Sequence, residues 1–292
     1  MTVKNAQVKS SLALLIEEKL GVTMIKKVHR GAHTGSDDSY SAQGKTPIDY
    51  VVQSNDSPLK RALKRQQLTK IQRQLNIEAI MANALALCPD VTSRGRPDPD
   101  WLEHFIDLAE DIANQSMQKL WAKILVGETV SPGTFSIKSL QTLKQMTQRE
   151  ATALQKCAPL CGYLAKEDSY IILIGYYKKP SFFDLLRKGN KESINLSKAG
   201  LSFPNVLTLM DIGLLYRQEI ESSNLKPEQP FSLSFQGKTL SLTAKSNDLV
   251  LSYYKLTQTG DELKKLITVP INKQYKGQLE QAFNEEFDCN WG

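Results

Sequence analysis

The stretch Ile112-Ala-Asn-Gln-Ser-Met-Gln-Lys-Leu-Trp-Ala-Lys-Ile-Leu-Val-Gly-Glu128, followed by Ser131-Pro-Gly-Thr-Phe-Ser136, decides how this 292-residue chain folds. Met117, Leu120, Trp121, Ile124 and Leu125 recur at the spacing of a helix that buries one face. Gly127 reads as the end of that helix and Pro132-Gly133 as the turn after it. Thr134 or Ser136 caps a following helix with Ile137, Leu140, Leu143 and Met146. Thr147-Gln-Arg-Glu150 is a capping box, opening a helix with Leu154, Cys157, Cys161 and Leu164. Upstream, Asp98 or Asp100 opens a helix that aligns Trp101, Phe105, Leu108 and Ile112. Four helices with short connections predict a helical unit.

The same block carries a resemblance. Gln118, Trp121, Ala122, Ile124, Leu125, Gly127 and Glu128, then Pro132, Gly133, Ser136, Leu140 and Leu143, fit the signature Gln-x-x-Trp-Ala-x-Ile-Leu-x-Gly-Glu … Pro-Gly-x-x-Ser. In this the chain resembles an uncharacterised bacterial family, known only as a domain of unknown function, from about Asp98 to about Ile267. The resemblance implies no activity. Gln118, Gly127, Glu128, Pro132 and Gly133 read as specification of helix ends and turns, and Trp121 as core.

Past residue 165 the pattern changes. Tyr170–Ile174 is strand-like and Phe182–Leu186 helix-like. A helix runs from Pro204 to Ile212 with Gly213 at its end. Phe231–Phe235 and Thr239–Thr243, joined through Gln236-Gly-Lys238, predict a hairpin. Leu249–Leu256 is a third strand, Thr259-Gly-Asp-Glu262 a second capping box, and 272–287 a last helix with Leu279, Phe283 and Phe287. This order resembles a winged helix. The expected fold class is therefore mainly α with a small α+β part, a helical bundle followed by a winged-helix-like module. The expected segments are 1–57, a short helix and flexible linker; 58–165, a long basic helix plus the four-helix unit; and 166–292, the winged-helix-like module with its C-terminal helix.

Charge is placed unevenly. Residues 1–97 hold 15 Lys and Arg against 8 Asp and Glu, while the whole chain carries a net charge of +6. The basic excess thus lies in the first third, which points to an acidic partner at that end. It is densest on residues 58–87, read as one helix, where Lys60, Arg61, Lys64, Arg65, Lys70 and Arg73 come with no acid between Pro58 and Ile77. Such a cluster neutralises phosphates without reading sequence. It equally suits pairing with Glu103, Asp107, Glu110 and Asp111. The helix's apolar stripe is interrupted, so it either bends near residue 68 or packs its first half on a partner. The helix before the expected wing, from Ser202 to Gly213, has no cation and is a poor reader of DNA.

Catalytic and cofactor signals are weak. His29 and His33 stand beside Gly31 in a stretch rich in small polar residues, too few to ligate a metal. Cys157 and Cys161 share an apolar helix face and read as core thiols of a cytoplasmic protein. Glu128 and Asp168 have no nearby His or second carboxylate for acid–base work, and no phosphate loop or nucleophile elbow is present. No cofactor, metal or transmembrane segment is expected. The expectation is a non-enzymatic adaptor or regulator with two candidate partners: nucleic acid, bound non-specifically through its phosphates, or a second copy of the chain, with the basic helix between subunits.

Overall fold

After Pro58 no Gly or Pro interrupts the chain until past Leu87, and the stretch forms one 30-residue helix, α1 (Pro58–Leu87). Pro58 sits in the first turn, where its missing N–H has no helical partner to lose. In this computed structural model the described residues are 13–17, 19, 23–28, 48–53, 56–88, 96–179 and 191–292. The chain divides into residues 1–79 with 110–112, and residues 80–109 with 113–292.

In the first unit, strands β1 (Thr23–Val28) and β2 (Ile48–Gln53) pair antiparallel, from Thr23 opposite Gln53 to Val28 opposite Ile48. The small-polar stretch from His29 to Thr46, with His33, lies outside the described residues, as does Phe182–Leu186. Helix α1 is continuous through residue 68. It buries Asn76, Ile80 and Ala84, while Lys64, Leu68, Ile71, Leu75, Glu78, Ala82 and Leu85 are exposed. The interrupted stripe is two separate faces of one helix.

The second unit opens with α2 (Pro99–Ala109), α3 (Gln115–Val130), α4 (Ile137–Gln145) and α5 (Gln148–Cys157). The capping box at Thr147 and Glu150 forms as the sequence requires. Three boundaries differ from the sequence reading. Helix α2 stops before Ile112, because Asn114 caps α3 by accepting from the N–H groups of Ser116 and Met117. Gly127 lies within α3, not at its end; a Cβ there would sit 3.0 Å from the Phe135 ring. Helix α5 ends at Cys157, since Pro159 removes a backbone donor. Cys161 and Leu164 therefore lie beyond the helix, Leu164 in strand β3 (Gly162–Leu164).

The second half overturns the predicted fold class. Strands β3, β4 (Ser169–Lys178), β5 (Lys191–Ser193), β6 (Ile220–Glu221), β7 (Phe231–Phe235), β8 (Lys238–Ala244), β9 (Leu249–Lys255) and β10 (Phe287–Trp291) form one eight-stranded sheet. Its order is β10-β8-β7-β3-β4-β9-β6, with β5 also on β4, and every pairing is antiparallel. This is a sheet-rich domain, not a winged helix with a small β part. The long central pair β4–β9 organises it, and β10 extends it where the sequence suggested more helix. Gly175, at a register shift in β4, lets β5 join: its φ is +154°, and a Cβ there would collide with the Glu192 carbonyl oxygen.

Helices α6 (Phe203–Asp211), α7 (Gln258–Lys265) and α8 (Lys273–Phe283) complete the unit. Helix α8 packs on β4, where the Tyr275 hydroxyl donates to the Leu173 carbonyl at 2.8 Å and Phe283 and Phe287 ring Tyr176. Helix α4 packs on α7, and α5 on α6. The helical core centres on Trp121, fully buried with its ring 5.3 Å from that of Phe105, which in turn stacks on Trp101. Trp121→Ala should cost about 3–5 kcal/mol. Chemical denaturation of both proteins measures it, and a variant as stable as wild type would refute this core assignment.

Candidate functional site

Two places gather the residues singled out from the sequence: the cationic turns of α1, and the turn between α3 and α4. On α1, Lys60, Lys64, Arg65 and Lys70 are exposed and Arg61 is half-buried. Arg61 donates to the Asp56 carbonyl at 2.8 Å, and the Lys60 N–H is capped by the Ser57 hydroxyl at 3.3 Å. Among the described residues none of these five forms an ion pair. Arg73 is different. Its guanidinium lies 2.8 Å from Glu110 and 3.0 Å from Asp111. One turn on, Asn76 donates to the Glu110 carbonyl at 2.8 Å and accepts from Gln72 at 3.0 Å. The structure thus uses Arg73 to hold residues 110–111 on α1, and leaves the other cations to solvent.

The signature residues converge on the turn Ser131–Ser136. Glu128, on the last turn of α3, is buried and accepts from the N–H groups of Gly133 at 2.5 Å and Phe135 at 2.9 Å. Gly133 takes φ +85°, a left-handed conformation that a side chain would resist. The Phe135 carbonyl accepts from the Trp101 indole at 2.7 Å. Pro132 and Gly133 are exposed, whereas Gln118 and Trp121 are buried. A second buried carboxylate arrives from far along the chain. Glu262 of α7 accepts from the Ser136 N–H at 2.7 Å and its hydroxyl at 2.8 Å, while Gln258 donates to its other oxygen at 2.9 Å.

Glu262 departs from the role its sequence context implies. The sequence pairs it with Thr259 in a capping box, but the N-cap is Thr257, whose hydroxyl accepts from the Gly260 N–H at 3.1 Å. The Glu262 carboxylate is thereby free to reach α4. The signal in the sequence is the second hydroxyl, two residues earlier, which caps equally well. Gly260 sits where a Cβ would collide with the Leu214 carbonyl oxygen, so the start of α7 is pressed on that backbone.

Asp261, next to Glu262, faces the sheet. It accepts from the Tyr170 N–H and the Ser169 hydroxyl, both at 2.8 Å. Burial nonetheless outweighs these bonds and pushes its carboxyl up to about 6. Lys264 lies 4.2 Å above the Tyr170 ring, and burial pulls its ammonium down. Nearby, the Cys161 thiol lies 3.6 Å from that of Cys157, and burial raises it well above an ordinary thiol. A thiol raised in this way is a poor nucleophile, which suits core packing of Cys161. Elsewhere a cleft of about 410 Å³ opens beside Gly175, Phe203, Ser252 and Tyr254, with the Tyr254 hydroxyl donating to Glu219 at 3.1 Å. Among the described residues no three His, Cys, Asp or Glu are grouped to hold a metal ion, and no helix is long and apolar enough to cross a membrane.

With this geometry in view, the chain can be compared with known proteins. The family described as "Protein of unknown function (DUF2806)" matches residues 60–280. The match takes in most of α1, which a resemblance beginning at about Asp98 leaves out. No curated protein and no solved structure matches the chain.

Glu262→Ala should cost about 1–3 kcal/mol, because it leaves the half-buried N–H of Ser136 without its acceptor. Ser136→Ala should lower that cost only slightly, since the N–H remains; denaturant melts of the single and double variants test this, and a neutral Glu262→Ala would refute the role. Asp261 gives a pH signature. Its carboxyl rises from 3.8 to about 6 on folding, so across that window the folded chain holds the extra proton. Stability from this group is therefore greatest at low pH and falls as pH rises towards about 6, levelling above it. In melts from about pH 4 to about pH 7, Asp261→Asn should lack this decline, and a wild-type minus variant difference that is flat or rises with pH would contradict it.

Proposed function

We propose that the chain, which belongs to the DUF2806 family of unknown function, is a non-enzymatic adaptor or regulator that holds nucleic acid on the cationic first turns of α1. The observation that carries this reading is the exposure of Lys60, Lys64, Arg65 and Lys70 without an ion pair among the described residues, with Arg61 beside them. Cations left unpaired on a rigid helix attract phosphates at little ordering cost. No aromatic side chain and no Asn accompanies them between Pro58 and Gln74, so the protein meets the nucleic-acid backbone and is indifferent to sequence. Arg73 drops out of the binding set, because Glu110 and Asp111 already hold it. The buried carboxylates Glu128, Asp261 and Glu262 each accept from backbone N–H groups, which favours a scaffold over acid–base chemistry.

Replacing Lys60, Arg61, Lys64 and Arg65 with Ser should weaken binding to every duplex sequence alike. The slope of log affinity against log salt should become shallower by roughly 0.9 for each phosphate that the variant no longer neutralises. Arg73→Ser should leave affinity unchanged and lower stability instead. Filter binding at several salt concentrations decides this. Wild-type protein that retains neither duplex nor single strands at low salt would overturn the reading.

A further inference from the structure

Helix α1 presents a second exposed feature that phosphates do not explain. Leu68, Ile71 and Leu75 are 44 %, 57 % and 52 % exposed, and Leu85 is 78 % exposed. With Lys64, Glu78 and Ala82 they fall on one line spaced by threes and fours, the spacing of a seam along which two helices interlock. From Lys64 to Leu85 this exposed line is about 32 Å long at the helical rise. It lies apart from the face that buries Asn76, Ile80 and Ala84, so α1 has already satisfied its own fold. The helix is also preformed, which removes the ordering cost that makes short isolated coiled coils marginal.

We infer that this seam binds the same seam of a second copy of the chain, with the two α1 helices antiparallel and crossing at Ile71. The charges on the line select this occupant and its direction. Lys64 and Glu78 occupy the line one heptad before and one heptad after Ile71, and both are exposed. Antiparallel pairing centred on Ile71 sets Lys64 of each copy opposite Glu78 of the other, twice by symmetry. Parallel pairing sets Lys64 against Lys64 and Glu78 against Glu78, and stacks the two cationic ends together, which like charges oppose. Antiparallel pairing instead places the cationic ends at opposite ends of the pair. Lys60, Arg65 and Lys70 of each copy lie off the line, and Arg61 continues it one heptad before Leu68, at the cationic end beyond Lys64.

Light scattering on the full-length protein, stripped of nucleic acid, tests this at several concentrations. Wild type should show twice the monomer mass. Changing Leu68, Ile71 and Leu75 together to Ser should give the monomer mass with the helical circular-dichroism signal of a folded chain, because these side chains lie outside the chain's own core. Lys64→Glu should weaken association by about tenfold or more, since it sets two carboxylates face to face on each side of the crossing. Adding Glu78→Lys should restore association, and that rescue distinguishes a charge pair across the seam from a general decline in helix quality. Wild type that stays monomeric at every concentration, a triple-Ser variant that still dimerises, or a double variant no better than Lys64→Glu would each overturn the inference. Filter binding of the triple-Ser variant separates the two readings. A monomer that still retains nucleic acid leaves phosphate binding standing, and a dimer that retains none leaves the seam standing.

Discussion

Two adjacent carboxylates on α7 join the layers of the second unit. Asp261 takes the Tyr170 N–H at the start of the central strand β4, and Glu262 takes the Ser136 N–H at the start of α4. Neighbours on a helix point in different directions, so one short element reaches both the sheet and the helical layer. The turn that Glu262 holds is fixed from two other sides as well, by Glu128 from α3 and by the indole of Trp101 from α2. The inner side of this turn is buried at Phe135, and backbone donors and acceptors that water cannot reach there must find partners inside the protein. That requirement explains why the signature combines a Trp-centred helix with a Gly-Glu pair and a Pro-Gly turn.

The polarity of this joint is oriented inward. Its acids accept from backbone amides, the Cys161 thiol is raised by burial, and Lys264 lies over an aromatic ring. Groups engaged in this way maintain the fold of the joint. On α1, by contrast, four exposed cations, Lys60, Lys64, Arg65 and Lys70, accompany the exposed side chains Leu68, Ile71 and Leu75. The two kinds of surface interleave along the helix, with Lys70 lying between Leu68 and Ile71 in the sequence.

The helix α1 also shows how an ambiguous pattern resolves. Its apolar residues do not fall on a single stripe, and the sequence alone suggests a bend or a partner. In the structure Asn76, Ile80 and Ala84 are buried, and Leu68, Ile71 and Leu75 are not. Periodicity counts apolar side chains without saying which of two faces the protein itself covers.

The sequence by itself determined the elements whose signals are local. The helix from Pro58, the capping box at Thr147, the hairpin around Gly237 and the strand through Ile172 follow from caps, turns and side-chain period, and these act within a few residues. It also pointed to a family of unknown function, the one whose model covers residues 60–280. Only the tertiary structure decided that the strands close into one eight-stranded sheet, for β3, β5 and β6 are too short to announce themselves and β10 continued a helical spacing through Phe287. It alone decided that Glu262 serves α4 and that Arg73 serves residues 110–111. These partners lie up to 126 residues apart, and no local pattern encodes which distant backbone group a carboxylate will meet.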